Sequence, residues 1–153
     1  MPYVADPDLA AFLQVLPKTE THLHLEGALP WEFRSRVARD RGIRALPAWS
    51  DHFRFDTFQD FLDVMIENYQ DWYVSAERYA EAAALVFSRL LEQNVRYLEF
   101  SIDAFTSEIK GISLQENEEG ILEQVPPGLE ARLFVGFHRY GHSAKLKENA
   151  YSC

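Results

Sequence analysis

A change of hydrophobic period partway along the chain limits the fold more than any other feature. Within Val95–Asp103, the apolar residues Leu98, Phe100 and Ile102 alternate with Tyr97 and with polar side chains. Period-two alternation places every second side chain on the same face, which predicts a half-buried β-strand. The residues before this segment follow a helical period instead, so the chain must combine strands and helices in one fold.

Predicted strands and helices alternate along the sequence. Helices are predicted over 31–41, from residue 57, over 75–93 and over 113–124, with further strands over about 19–25 and 130–137 and a loop over 43–55. Strands separated by helices pair in parallel through right-handed crossovers. Three such strands are few for a complete parallel sheet, and a (β/α)₈ barrel takes about 250 residues. The predicted fold class is therefore α/β: the N-terminal portion of a (β/α)₈ TIM barrel, with about three strands and a helical insertion after the first.

Two histidines on the first predicted strand carry the clearest chemical pattern. His22 and His24 are two residues apart, so on a strand they share a face with Cα atoms about 6.6–6.8 Å apart. Imidazoles at that spacing can converge on one zinc ion, with Zn–N bonds of about 2.0–2.1 Å. Two histidines at this spacing also occur by chance. Here Glu20 and Glu26 flank the pair, and four polar residues on one face favour metal binding. The pair also comes just before Gly27, near the carboxyl end of the strand, where barrel active sites lie.

The segment around this pair resembles a known family. Pro17–Leu29, PKTETHLHLEGAL, resembles the first-strand motif of the adenosine/adenine deaminases, within the metal-dependent amidohydrolase superfamily. Looser similarity continues through Tyr97–Phe100 and Arg132–Arg139. We therefore interpret residues 1–139 as the N-terminal part of a deaminase-type barrel. Residues 140–153 form a tail that departs from the family pattern, as a truncated or frameshifted reading frame would produce.

The resemblance implies a zinc-dependent hydrolytic deaminase of a purine base or nucleoside, with roles for three residues. His22 and His24 would be zinc ligands, and His24 and Glu26 would approach the purine. In having glutamate at position 26, the chain is similar to the adenine-type and modified-nucleoside branches of the family. The adenosine-specific branch usually carries aspartate at this position. The alternative for Glu26 is a surface acid at a strand end. Ser101 stands where many members carry arginine, so the identity of the purine stays open.

Several residues that the family requires have no match in this sequence. These are a third zinc histidine, a His-Ala-Gly-Glu segment whose glutamate handles protons, another histidine and a late pair of aspartates. No catalytic residue is assigned, and this chain alone is expected to be inactive. His138 and His142 are poor candidates for the third ligand because no Gly-Glu follows either, and His52 is expected to be solvated in a loop. The alternatives are another amidohydrolase with the same histidine pair, or a non-catalytic truncated product.

Two further groups of residues have more than one interpretation. An apolar stripe on the helix after residue 57 is similar to the gate that covers the purine in the family, although packing in the core is the preferred interpretation. On the second strand, two inward-facing carboxylates either orient the first strand or form structural hydrogen bonds. The stripe comprises Phe58, Phe61, Leu62 and Met65, and the carboxylates are Glu99 and Asp103.

Composition narrows the class of partner. The 15 Lys and Arg against 24 Asp and Glu give a net charge of −9, which disfavours nucleic acid as a partner. No apolar stretch approaches the roughly 18 residues that span a membrane, and the N-terminus lacks the pattern of a signal peptide. The single cysteine, Cys153, fits a reducing compartment. We expect a cytoplasmic protein that acts on a small-molecule purine, and the oligomeric state stays open.

Overall fold

Three parallel strands and six α-helices make up the part of the chain that the computed structural model describes, residues 6–41 and 54–137. The strands lie in the order β1-β2-β3, each parallel to its neighbour. This confirms the predicted α/β class with three parallel strands. The elements are α1 Pro7–Val15, β1 Lys18–His24, a 3₁₀ turn Leu25–Gly27, α2 Trp31–Arg41, α3 Phe58–Trp72, α4 Ala76–Glu92, β2 Val95–Asp103, α5 Ala104–Lys110, α6 Leu114–Leu122 and β3 Glu130–Gly136.

Most predicted elements form where local patterns place them, but two short helices were not predicted. At α3 the predicted capping box is present, with Thr57 and Asp60 exchanging side-chain to backbone hydrogen bonds. The unpredicted helix α1 begins at Pro7 after the N-cap Asp6, an arrangement that favours a helix start. The unpredicted helix α5 follows β2 directly. It ends at Gly111, which adopts the left-handed φ of 67° that closes many helices.

The core lies between the central strand and α4. From Leu98 onwards every second side chain of β2 is buried, and Leu98, Phe100 and Ile102 are all 1% exposed or less. Phe87 on α4 meets Phe100 edge to face, with ring centroids 5.1 Å apart. Burying a side chain of this size contributes about 1.5–3 kcal/mol relative to leaving it exposed, so β2 is the best-anchored strand.

The opposite face of the sheet is accessible. Glu99 and Ser101 on β2 are half-buried there, and Phe134 on β3, the partner of Ser101 in the ladder, is 55% exposed. In a closed barrel this face would line the interior. Within the described residues, no helix has the length and apolar character needed to cross a bilayer.

A β-bulge interrupts β1 just before the histidine pair. Glu20 pairs with Leu98 and Leu23 pairs with Phe100, so three steps along β1 match two steps along β2. Pairing two residues of one strand against one of its neighbour inserts an extra residue and shifts the alternation of side chains. The extra residue lies at Thr21–His22.

The bulge corrects one prediction from the sequence. Leu98 and Phe100 both belong to the buried face, so their partners Glu20 and Leu23 lie on that face as well. His24 instead pairs with Ser101 on the accessible face. The prediction that Glu20 shares a face with the histidines was wrong, because counting in twos assumes an unbroken pleat.

A polar cluster joins the ends of two helices to the start of β1. The Lys18 ammonium donates to the carbonyls of Leu16 at 3.0 Å, Gln93 at 2.8 Å and Gln14 at 3.4 Å. The Asn94 amide donates at 2.6 Å to the carbonyl of the last residue of α1. Carbonyls at helix ends lack partners inside the helix, so Lys18 and Asn94 satisfy them while fixing where β1 begins.

Candidate metal centre

The two histidines of β1 lie side by side at its carboxyl end. The Nε2 atoms of His22 and His24 are 3.3 Å apart, and the rings, with centroids 5.2 Å apart, are tilted by 55°. Two nitrogens each bound about 2.0–2.1 Å from a tetrahedral zinc ion are about 3.3–3.4 Å from one another. The observed separation is compatible with that value, and it is also short enough for a hydrogen bond between the two rings.

Neighbouring residues hold each histidine in place. The Glu20 carboxylate accepts the backbone N–H of His22 at 3.1 Å, within the bulge. On the other histidine, Nδ1 of His24 lies 2.9 Å from the Ser101 hydroxyl, since these two residues are direct partners in the ladder. A hydrogen-bond partner on the ring nitrogen that does not bind the metal orients a ligating imidazole and raises its affinity for the metal. The local structure therefore presents the two Nε2 atoms towards one point.

The described residues offer two candidate metal ligands, His22 and His24, and no larger set. Within 6–41 and 54–137, no three side chains of His, Cys, Asp or Glu are grouped to hold a metal ion. Catalytic zinc sites commonly use three protein ligands and leave one position for water or substrate. His52, His138 and His142 lie outside the described residues. A complete zinc site thus requires donors beyond this pair.

Glu26 is buried in the turn that follows the pair. Its side chain is 1% exposed, and Oε1 accepts the Asp103 backbone N–H at 2.7 Å and the Tyr79 hydroxyl at 3.1 Å. Burial raises the pKa of Glu26 to about 7, because desolvation outweighs these hydrogen bonds. The alternative interpretation of Glu26 as a surface acid was wrong. Its predicted contact with the purine stays a prediction.

Two tyrosines, for which no polar role was predicted, complete this turn. The Tyr73 hydroxyl donates to the Leu25 carbonyl at 2.8 Å, and its ring lies 4.6 Å from that of Tyr79. Helical periodicity places Tyr79 on the apolar face of α4, which is correct for its ring. The available signal was the choice of tyrosine over phenylalanine at buried positions, since a buried hydroxyl needs a partner.

Comparisons with known proteins relate the sequence of this chain to adenine deaminases. No protein-family model matches the chain. An adenine deaminase from Rhodospirillum rubrum is 31% identical over 141 residues, covering 85% of this chain and 41% of that protein. A zinc-bound amidohydrolase structure from Burkholderia ambifaria superposes with a TM-score of 0.70 at 19% identity, over 99% of this chain and 52% of that one. Arabidopsis ADAL complexed with IMP gives a TM-score of 0.62 at 17% identity, over 81% and 41%.

The sequence of this chain is related to the adenine deaminases and adenosine deaminase-like amidohydrolases. It corresponds to their N-terminal portion and spans about 40% of the length of the curated relatives it matches. The structural likenesses add the fold, since the open three-stranded sheet matches part of a deaminase TIM barrel. Both the predicted resemblance to the deaminases and the predicted fold class are confirmed.

The apolar stripe on α3 was predicted either to cover the purine or to pack in the core of this deaminase-like chain. In the proposed gate, Phe58 is 73% exposed, so packing in the core was the wrong interpretation for that residue. Phe61 and Leu62 are half-buried, and the side chain of Met65 lies outside the description. Whether these residues cover a purine stays a prediction.

The two carboxylates of β2 both make local hydrogen bonds. Asp103 caps α5, accepting the Phe105 N–H at 3.1 Å and the Thr106 hydroxyl at 2.9 Å. Glu99 accepts the Tyr97 hydroxyl at 2.7 Å. The structural interpretation accounts for these contacts. Glu99 also lines a shallow pocket of about 210 Å³, together with Thr21, His22, Leu23, Phe100, Ser101 and Phe134.

Proposed function

We propose that this chain supplies the metal-binding strand of a zinc-dependent hydrolytic deaminase that acts on an adenine-type purine base or nucleoside. The observation that carries the proposal is the 3.3 Å separation of the Nε2 atoms of His22 and His24 at the carboxyl end of β1. The similarity to adenine deaminases supports the reaction class, and the zinc-bound amidohydrolase of similar fold supports the metal.

The residues of this chain would bind and orient. When bound, a zinc ion at the pair would lower the pKa of a water molecule and so supply a nucleophile near neutral pH. His22 and His24 would hold the ion on the accessible face of the sheet, beside the shallow pocket. In the overall reaction, water replaces the exocyclic amine of the purine and ammonia leaves. The described residues offer no group to which we assign the proton transfers.

His24 and Glu26 are also proposed to approach the purine, because both lie where barrel sites open. In this structure Glu26 instead anchors the turn Leu25–Gly27 to β2 through the Asp103 N–H. Direct contact between its carboxyl and a purine therefore requires that the turn expose it. The reducing compartment that the cysteine content favours supports a cytoplasmic location, which we include in the proposal.

Zinc titration of the chain tests the metal pair directly. Isothermal titration calorimetry is expected to show one zinc ion per chain, bound weakly because only two protein ligands are assigned. His22→Gln and His24→Gln should each abolish this binding, whereas the control His52→Gln should retain it. Equal zinc binding by all three variants would overturn the proposal that the pair is the metal site.

Activity and the surrounding DNA test the reaction class. We expect no ammonia from the chain mixed with zinc and either adenine or adenosine, and measurable turnover would overturn the proposal that residues outside this chain are needed. Translating the DNA around the coding region in all three frames should reveal a His-Ala-Gly-Glu segment and a pair of aspartates. Finding neither would count decisively against a deaminase.

A further inference from the structure

We propose that Ser101 is a positioning residue that fixes the tautomer and orientation of His24, so that Nε2 of this ring faces the metal. Ser101 lies on β2, directly opposite His24 in the parallel ladder and on the same accessible face. The inference deepens the proposed function and rests on it, because it assigns a role towards the zinc pair to a residue on another strand.

Chemistry fixes the direction of one of the two Ser101 hydrogen bonds, and the direction of the other depends on the tautomer of His24. The Ser101 hydroxyl lies 3.5 Å from the Leu23 carbonyl, which can only accept, and 2.9 Å from Nδ1 of His24. A serine hydroxyl has one hydrogen to donate. We assign that hydrogen to the Leu23 carbonyl, which can only accept, so that the hydroxyl oxygen accepts from His24 and Nδ1 of His24 carries the ring proton.

This assignment leaves the lone pair of His24 on Nε2. A neutral imidazole has one N–H nitrogen and one acceptor nitrogen, so a proton on Nδ1 excludes one on Nε2. Nε2 is the atom that lies 3.3 Å from Nε2 of His22. Metal ions bind the unprotonated nitrogen, and a partner on the other ring nitrogen is the usual means of selecting it. Ser101 thus prepares His24 to bind through the correct atom.

The decisive experiment is ¹⁵N NMR of the histidine-labelled, metal-free chain at mildly alkaline pH, which distinguishes Nδ1–H from Nε2–H imidazole. His24 should be in the Nδ1–H form in the unmodified chain and in Ser101→Thr, which keeps the hydroxyl. In Ser101→Ala its signals should move towards the Nε2–H form. The control Ser113→Ala removes the hydroxyl that caps α6 and should leave His24 unchanged. His24→Gln identifies the signals.

Zinc affinity provides the second readout. Removing a residue that supports a metal ligand typically weakens metal binding by about 10-fold to 100-fold. We expect about a 10-fold loss in Ser101→Ala and an affinity close to that of the unmodified chain in Ser101→Thr and Ser113→Ala. A merely structural serine would leave the tautomer unchanged.

Two results would overturn the role of Ser101: an Nε2–H ring at His24 in the unmodified chain, or the same tautomer and zinc affinity in Ser101→Ala. A different result would refute the proposed function. If the unmodified chain took up no zinc, the metal site would be refuted, and the metal-free NMR spectra would still decide whether Ser101 sets the tautomer.

Discussion

Replacing Glu26 with glutamine should change how the stability of the chain depends on pH. The carboxyl of Glu26 is buried, and burial raises its pKa from 4.5 to about 7. A carboxyl whose pKa rises on folding holds its proton more tightly in the folded state. Its contribution to stability is therefore fully present below about pH 4.5 and is lost as the pH rises towards about 7.

The size of the effect follows from the two pKa values. At about 1.4 kcal/mol for each tenfold change in proton affinity, a rise in pKa from 4.5 to about 7 corresponds to about 3 kcal/mol. Glutamine keeps an oxygen that can accept from Asp103 and Tyr79 but has no proton to lose. The free energy of unfolding of Glu26→Gln minus that of the unmodified chain should therefore rise by about 3 kcal/mol between pH 4.5 and 7.5.

Urea unfolding at several pH values, followed with a chelator present through tryptophan fluorescence, to which the buried Trp72 contributes, measures this difference. Contributions from the histidines cancel in the comparison. Glu26→Ala should show the same loss of pH dependence but lie about 2–4 kcal/mol below Glu26→Gln at every pH, because it leaves two donors without an acceptor and opens a cavity. Parallel pH profiles for Glu26→Gln and the unmodified chain would refute the reasoning.

Three further substitutions test the fold by the same unfolding measurement. Lys18→Met removes the ammonium that serves three carbonyls and should cost about 1–3 kcal/mol; a change below about 0.5 kcal/mol would show that water replaces it. Thr57→Ala should cost about 1 kcal/mol by removing the capping box of α3, whereas Thr57→Ser should keep most of it. Leu98→Ala should cost about 2–5 kcal/mol, since this side chain is fully buried; a stability close to that of the unmodified chain would place the core elsewhere.

The sequence was most informative where one local pattern controls the structure. The strand Val95–Asp103 has the predicted bounds because its alternation matches the pleat and its flanks break the period. The start of α3 could also be predicted, since the side chains of Thr57 and Asp60 each accept the backbone N–H of the other within one turn. By contrast, α5 has only seven residues, too few for a helical period to stand out from the strand before it. Asp6 and Pro7 mark the start of α1, although this helix was not predicted.

In the candidate site, too, the local contacts could be predicted from the sequence and the long-range contacts could not. The proximity of His22 and His24 followed from their spacing, a local property. The contact between His24 and Ser101 joins residues 77 positions apart in the chain, and the burial of Glu26 depends on Tyr79, 53 positions away. Contacts of this range depend on the register of two strands and on the packing of α4 over the turn. Neither is encoded in the short segment around the histidines.

The bulge at Thr21–His22 has a consequence for any attempt to transplant this metal pair. Copying only the three residues His22–His24 into a regular strand of another protein would reproduce the local sequence. It would not reproduce the bend and twist of the backbone that accompany the extra residue. A faithful graft needs Thr21, the carboxylate of Glu20 that binds the bulged backbone, and a neighbouring strand with a hydroxyl opposite His24. The smallest portable unit is therefore five consecutive residues on one strand and one residue on the next.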